Sequence, residues 1–200
     1  MTDAALRLSG IACARGGRML FRGVDLALKP GGSALLRGPN GVGKSSLMRI
    51  CAGLLRPAAG AIERRGRIAL ADERLALDME QLLGAALGFW ARMDDADQAR
   101  LDRALEAMAL GPLAQVPVRM LSTGQRKRAA LARVVASGAP IWLLDEPGNG
   151  LDDASLELLG AVITEHIAGG GILLAASHQP LPIPAHVTMD LSAYVPEEML

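Results

Sequence analysis

Aromatic side chains are nearly missing: Phe, Tyr and Trp make up 2% of the 200 residues. A site for a flat heterocycle therefore has few rings to stack on it. Cysteine is just as scarce. Cys13 and Cys51 stand without CxxC spacing, which excludes a disulfide framework and a cysteine zinc site and leaves both as core fillers. Lysine occurs only as Lys29, Lys44 and Lys127, so the positive charge is nearly all arginine. An excess of either sign is absent too: 21 Lys and Arg meet 21 Asp and Glu, for a net charge of +0. No global field draws the chain to nucleic acid or to an anionic membrane surface, and no nucleic-acid partner is expected.

Long apolar runs are also missing, although 50% of the residues are hydrophobic. The longest, at Ile141 to Leu144 and Ile172 to Ala176, fall far short of the roughly 20 residues that span a bilayer. Asp3 stands where a secretory signal places basic residues, and Arg7, Ser9 and Arg15 interrupt any apolar core of such a signal. The chain is expected to stay in the cytoplasm. At roughly 150 residues per domain, its length suits one domain with a subdomain inserted in it.

What is present is an ordered alternation of elements. Leu6 to Ala14 and Met19 to Leu28 read as a hairpin about Arg15-Gly16-Gly17-Arg18. Ser33 to Arg37 is a buried-strand candidate that runs into a Gly-rich loop, and from Gly43 to Leu54 the period becomes helical. Pro57 to Gly66 reads as a turn and short strands. Met79 to Leu110 reads as helix in two pieces, broken near Asp94-Asp95 and stopped by Gly111-Pro112; Gln125 to Ala136 is another helix. Ile141 to Leu144 is wholly apolar, as a parallel strand buried on both faces should be. A helix over Asp153 to Ala168, a strand over Ile172 to Ala176, an irregular Pro180 to Pro184 and a last strand near Val187 to Leu191 follow. The expected class is α/β, with an N-terminal antiparallel β-subdomain and a helical insertion over about residues 75–137.

Gly38-Pro39-Asn40-Gly41-Val42-Gly43-Lys44-Ser45 matches G-x-x-x-x-G-K-[ST] in its required strand–loop–helix context. Its glycines let backbone N–H groups turn in around phosphate oxygens, and the following helix adds the positive end of its dipole. Lys44 is placed for the β and γ phosphates and the Ser45 hydroxyl for magnesium; ATP with Mg2+ is the expected ligand. A plain Gly-rich turn accounts for the glycines and leaves the lysine unexplained. Asp145 and Glu146 end an apolar strand, where the ligand crevice of a doubly wound sheet lies. Asp145 suits a water-mediated hold on magnesium, and Glu146 suits proton acceptance from an attacking water. Taken alone, such a pair is commonly a solvated loop. Leu121-Ser122-Thr123-Gly124-Gln125 precedes Arg126-Lys127-Arg128 on a helix; Ser122 stands as an N-cap and Gly124 opens the backbone. This start suits either an ordinary cap with a solvated basic turn or a second anion site.

In this order the motifs resemble those of the ATP-binding cassette (ABC) ATPases, a P-loop NTPase family, over nearly the full length. Gly38 to Ser45, with Ser46 after it, resembles the Walker A loop, Leu121 to Gln125 the LSGGQ signature, and Leu143 to Pro147 the Walker B strand with its catalytic glutamate. Gly150-Leu151-Asp152 resembles the D-loop and Ser177-His178 the switch histidine. The resemblance implies a RecA-like core and a head-to-tail homodimer in which Ser122, Gly124 and Gln125 of one copy close over the Walker A loop of the other. It implies Glu146, His178 and Lys44 as catalytic residues and Asp152 near the nucleotide. Leu87-Gly88-Phe89-Trp90-Ala91, Asp145 to Asp152 and Ser177-His178-Gln179-Pro180-Leu181 resemble a subgroup, the ATPase subunits of cytochrome c maturation and heme export. That resemblance implies a peripheral place on the cytoplasmic face of the bacterial inner membrane, with integral partners CcmB, CcmC and CcmD and release of the heme-loaded chaperone CcmE.

Three departures stand out. Arg15 occupies the place where relatives carry an adenine-stacking ring; a guanidinium plane also stacks on a base. Thr123 replaces the first signature glycine. No glutamine stands where the family's Q-loop has one: Asp72 is the best positional candidate for that place and its metal contact, Glu73 the next, and Gln81 lies too far along. Competing readings are an ATPase of another ABC exporter, a small-molecule kinase, which has no use for Ser122 to Gln125 or His178, a soluble ABC regulator, and a nucleotide-binding scaffold without turnover.

Overall fold

A computed structural model describes residues 3–72, 76–184 and 187–196. β1 (Ala5–Arg15) and β2 (Arg18–Leu28) form a hairpin closed by Gly16 and Gly17, both with positive φ. β4 (Ala59–Arg65) adds to the other edge of β1, giving the antiparallel order β2-β1-β4. The second sheet is parallel: β5 (Ile68–Ala71), β6 (Ile141–Asp145), β7 (Ile172–Ala176), β3 (Ser33–Arg37) and β8 (Val187–Asp190) lie side by side in that order.

The central strands are apolar throughout because successive side chains serve two cores. Ala34 and Leu36, Ile141 and Leu143, and Ile172 and Leu174 face the antiparallel sheet and α1 (Lys44–Cys51). Leu35, Trp142 and Leu144, and Leu173 and Ala175 face the other way. Their core is closed by α2 (Leu83–Met93), α3 (Gln98–Ala107), α4 (Thr123–Ser137) and α5 (Asp153–Ala168).

The sequence pattern and the structure differ in two places. β5 has no strand signature of its own; its pairing with β6 makes it a strand. The helix expected from Met79 begins at Leu83, because the preceding backbone is bonded elsewhere: Met79 and Gln81 carbonyls accept from Arg119 and Val118. At the break between α2 and α3, Asp95 has a φ of 55°, and Asp97 caps α3 by accepting from the Arg100 N–H.

Candidate nucleotide site

β3 delivers the chain into the Gly38–Gly43 loop, and α1 starts at Lys44. Gly43 is required for two reasons. Its φ is 113°, and a Cβ there would lie 2.8 and 2.9 Å from two Phe21 ring carbons. The hairpin strand β2 is therefore packed against the loop. Lys44 is buried, and its ammonium donates to the Gly38 carbonyl at 2.8 Å and the Pro39 carbonyl at 3.4 Å. The loop borders a pocket of about 300 Å3, to which Asn40, Gly41, Gly43, Lys44, Ser45 and Ser46 contribute from one side and Asp145 and Glu146 from the other. Leu20 forms an apolar wall of this pocket; nothing in the sequence pattern marks it beyond its place in the hairpin. Arg15 lies at the exposed end of β1 and, like Gly38, Pro39 and Val42, is not among the pocket-lining residues.

Asp145 is the last residue of β6 and Glu146 the first beyond it; both are buried. Glu146 sits at a φ of 48°, a left-handed conformation that costs a non-glycine residue about 1 kcal/mol or more. Its N–H donates to the Ala176 carbonyl of β7 at 2.8 Å, which fixes the turn. The carboxylate is thereby aimed at two groups. Oε2 accepts from His178 twice, from the ring Nδ1 at 2.9 Å and from the backbone N–H at 3.3 Å. Oε1 stands 4.0 Å from the Lys44 ammonium. The imidazole beside an acceptor-only carboxylate must carry its proton on Nδ1.

Asp72 follows β5, and the register that pairs Ala71 with Leu144 brings it level with Asp145. Its carboxylate stands 3.6 Å from Arg49 on α1, one turn beyond Ser45. Glu73 falls outside the described residues.

Ser122, Gly124 and Gln125 do not line this pocket. Ser122 caps α4 in a reciprocal box: its hydroxyl accepts from the Gln125 N–H at 3.2 Å, and the Gln125 side chain accepts from the Ser122 N–H at 2.9 Å. The capped start packs on the loop before α5, where a Cβ at Gly124 would lie 3.1 Å from the Gly150 carbonyl. Asp152 caps α5 by accepting from the Ser155 N–H at 2.9 Å, and the hydrogen bonds from Ser155 hold its carboxyl below the usual range. The basic turn after Gln125 is largely spent inside the chain: Arg126 donates to the Arg119 carbonyl and Arg128 to those of Met108 and Ala109, just past α3. One chain thus carries two separate clusters, one around Lys44 and Glu146, the other around Ser122 and Asp152.

The ABC transporter family model matches residues 21–149. The chain belongs to the ABC transporter family. Among its curated relatives is the cytochrome c biogenesis ATP-binding export protein CcmA of Sphingopyxis alaskensis, 60% identical over 179 residues, 90% of this chain and 92% of that protein. The CcmA of Novosphingobium aromaticivorans is 53% identical over 98% of this chain and 100% of its own length. A solved putative ABC transporter ATP-binding protein from Pyrococcus furiosus superimposes with a TM-score of 0.84, covering 96% of this chain and all of that one at 22% identity. That last likeness concerns the fold alone. As an ABC ATP-binding chain of the CcmA type, the protein is an ATP-hydrolysing subunit of a membrane export complex. No helix among its described residues is long and apolar enough to cross a membrane.

Proposed function

We propose that the chain powers cytochrome c maturation by hydrolysing Mg2+-bound ATP between two copies of itself, in a complex with CcmB, CcmC and CcmD at the cytoplasmic face of the inner membrane. Its cycle would release the heme-loaded chaperone CcmE. The observation that carries the dimer is the separation of the two clusters. Lys44 and the loop line one pocket with Asp145 and Glu146, and the capped start of α4, with Ser122 and Gly124, lies outside that lining, where a helix N-terminus can offer N–H and hydroxyl donors to the nucleotide of a second copy. A head-to-tail pair brings these halves together.

Ser45 and Asp145 line one pocket and offer a hydroxyl and a carboxylate, oxygen donors that suit Mg2+ bound mainly by phosphates and water. When bound there, the ion would supply charge neutralisation on the β and γ phosphates. Asp72, level with Asp145 but outside the pocket lining, would be a further oxygen donor toward it. Lys44 exchanges its loop carbonyls for phosphate oxygens. Glu146 accepts the proton of the attacking water, and His178 holds the carboxylate in line and stabilises developing charge on the phosphate. Gly38 to Ser46 hold the phosphates through backbone and side chain, Arg15 stacks on the base, and Gln125 and Asp152 hold Ser122 and the loop before α5 in place.

Affinity purification of the tagged chain from membranes tests the assignment: CcmB and CcmC should co-purify, and a deletion strain should lack c-type cytochromes. Normal c-type cytochromes in that strain would overturn it. The kinase reading predicts a phosphorylated product in place of free phosphate.

A further inference from the structure

A second cleft, of about 620 Å3, opens at the other end of the parallel sheet from the phosphate loop, where β6 and β7 begin and where α4 and α5 end. It is larger than the phosphate pocket and within the size range of small-molecule sites. Asp145 lies three residues along β6 from Trp142, which lines this cleft, so the two sites are about 10 Å apart along one strand.

The cleft is built rather than incidental. The His166 ring stacks on Trp142 with centroids 3.8 Å apart and planes 9° apart. A Cβ on Gly171 would fall 2.3 Å from that ring, so the imidazole is clamped on both faces. Its Nε2 stands 3.1 Å from the Ile172 carbonyl, which makes Nε2 the donor and leaves Nδ1 an acceptor with no hydrogen-bond partner among the described residues. From α3 come Arg100 and Arg103, three apart and on one helix face with Ala107. The Arg100 guanidinium lies against Gly138, where φ is 59° and a Cβ would meet its Nη1 at 2.7 Å. Among the described residues neither guanidinium has a carboxylate within 4.0 Å, although Glu106 and Glu165 line the same cleft. Between these charges the lining is aliphatic, with Ala107, Val135 and Val162.

We propose that this cleft is a second ligand site, specific for a small apolar monocarboxylate. Two unpaired guanidiniums on one wall present planar donor forks that match a carboxylate. The aliphatic lining takes the apolar body. Glu106 and Glu165 repel a second negative charge, which excludes nucleotides and other polyanions and keeps the site distinct from the phosphate pocket.

The test follows the indole N–H resonance of Trp142 by NMR in the full chain, with the nucleotide site saturated by a non-hydrolysable ATP analogue and Trp90→Phe used to assign the peak. Octanoate is the probe, and octylamine and inorganic phosphate are the controls. Octanoate should shift the peak saturably and the two controls should not. Arg100→Gln with Arg103→Gln should weaken octanoate binding by at least about tenfold while ATPase activity stays unchanged. Ala107→Phe, which narrows the cleft and keeps both arginines, should block octanoate. A peak unmoved by octanoate, an equal response to octylamine or phosphate, or octanoate binding undiminished in either variant would overturn the proposal.

Discussion

The Glu146 carboxylate holds His178 by two hydrogen bonds to one oxygen and stands 4.0 Å from Lys44 through the other. Its two oxygens are thereby assigned before any substrate arrives: one is oriented by the β7 end, the other faces the phosphate pocket. Glu146→Gln should keep ATP affinity and lower turnover by about 10²–10⁴-fold. His178→Ala should lower turnover while leaving KM for ATP near the parent value, because it frees the carboxylate to rotate. Steady-state phosphate release and equilibrium nucleotide binding check both. Wild-type turnover in Glu146→Gln would remove it as the base.

Gly43 is the most constrained position of the phosphate loop. Alanine there combines an unfavourable φ of 113° with a contact of 2.8 Å to the Phe21 ring. Gly43→Ala should cost about 2 kcal/mol, roughly 4–8 °C in Tm for a chain of this size, and abolish nucleotide binding as α1 shifts. Thermal melts with and without ATP measure both effects; a normal Tm with normal ATP affinity would mean that the loop and Phe21 separate freely.

Much of this site could be read from residue types. A strand, a Gly-rich loop and one of only three lysines, in the order that phosphate binding needs, sufficed for Lys44; a wholly apolar strand ending in two carboxylates sufficed for Asp145 and Glu146. Other parts depend on the fold. β5 is Ile-Ala-Leu-Ala, too short and alanine-rich to declare itself, and only its pairing with β6 sets Asp72 beside Asp145. Met79 to Leu82 has helical periodicity, but the backbone of residues 116–119 claims its hydrogen bonds. Leu20 looks like any hairpin residue until β2 is folded against α1. The clamp on His166 needs Trp142 and Gly171, which come from different parts of the chain.

Ser122 has a structural and a chemical task that one pair of substitutions separates. Its hydroxyl closes the capping box with Gln125, so Ser122→Ala should cost about 1 kcal/mol, or roughly 2–4 °C in Tm. Turnover should fall much further than that loss of stability accounts for, with ATP binding to the single chain intact. Ser122→Asn also caps the helix and should restore Tm while leaving turnover low. Recovery of turnover along with Tm would confine Ser122 to its cap.

Asp72 faces Arg49 across a partly exposed gap of 3.6 Å, a pair worth little to stability. Asp72→Asn should therefore leave Tm within about 1 °C of the parent. If its carboxylate serves the metal, the Mg2+ concentration for half-maximal ATPase should rise several-fold at unchanged ATP affinity. Titrating Mg2+ at fixed ATP decides this: an unmoved midpoint would leave Asp72 with no part in holding the metal.

His166 supplies an acid sensitivity with a defined sign. Burial between Trp142 and Gly171 pushes its pKa below the usual imidazole value, against a smaller opposing effect of the Ile172 carbonyl. A histidine that is harder to protonate when folded makes the unfolded chain the stronger proton binder as pH falls. Its contribution is therefore fully present above the unfolded value, about 6.5, and is lost progressively below it. Arg100, Arg103, Glu106 and Glu165 are the charged groups that line the same cleft. His166→Phe keeps a ring against Trp142 and cannot titrate. Melts at pH 7.5 and 5.5 should show a smaller drop in Tm for this variant than for the parent. An equal drop would assign the acid sensitivity to carboxylates elsewhere in the chain.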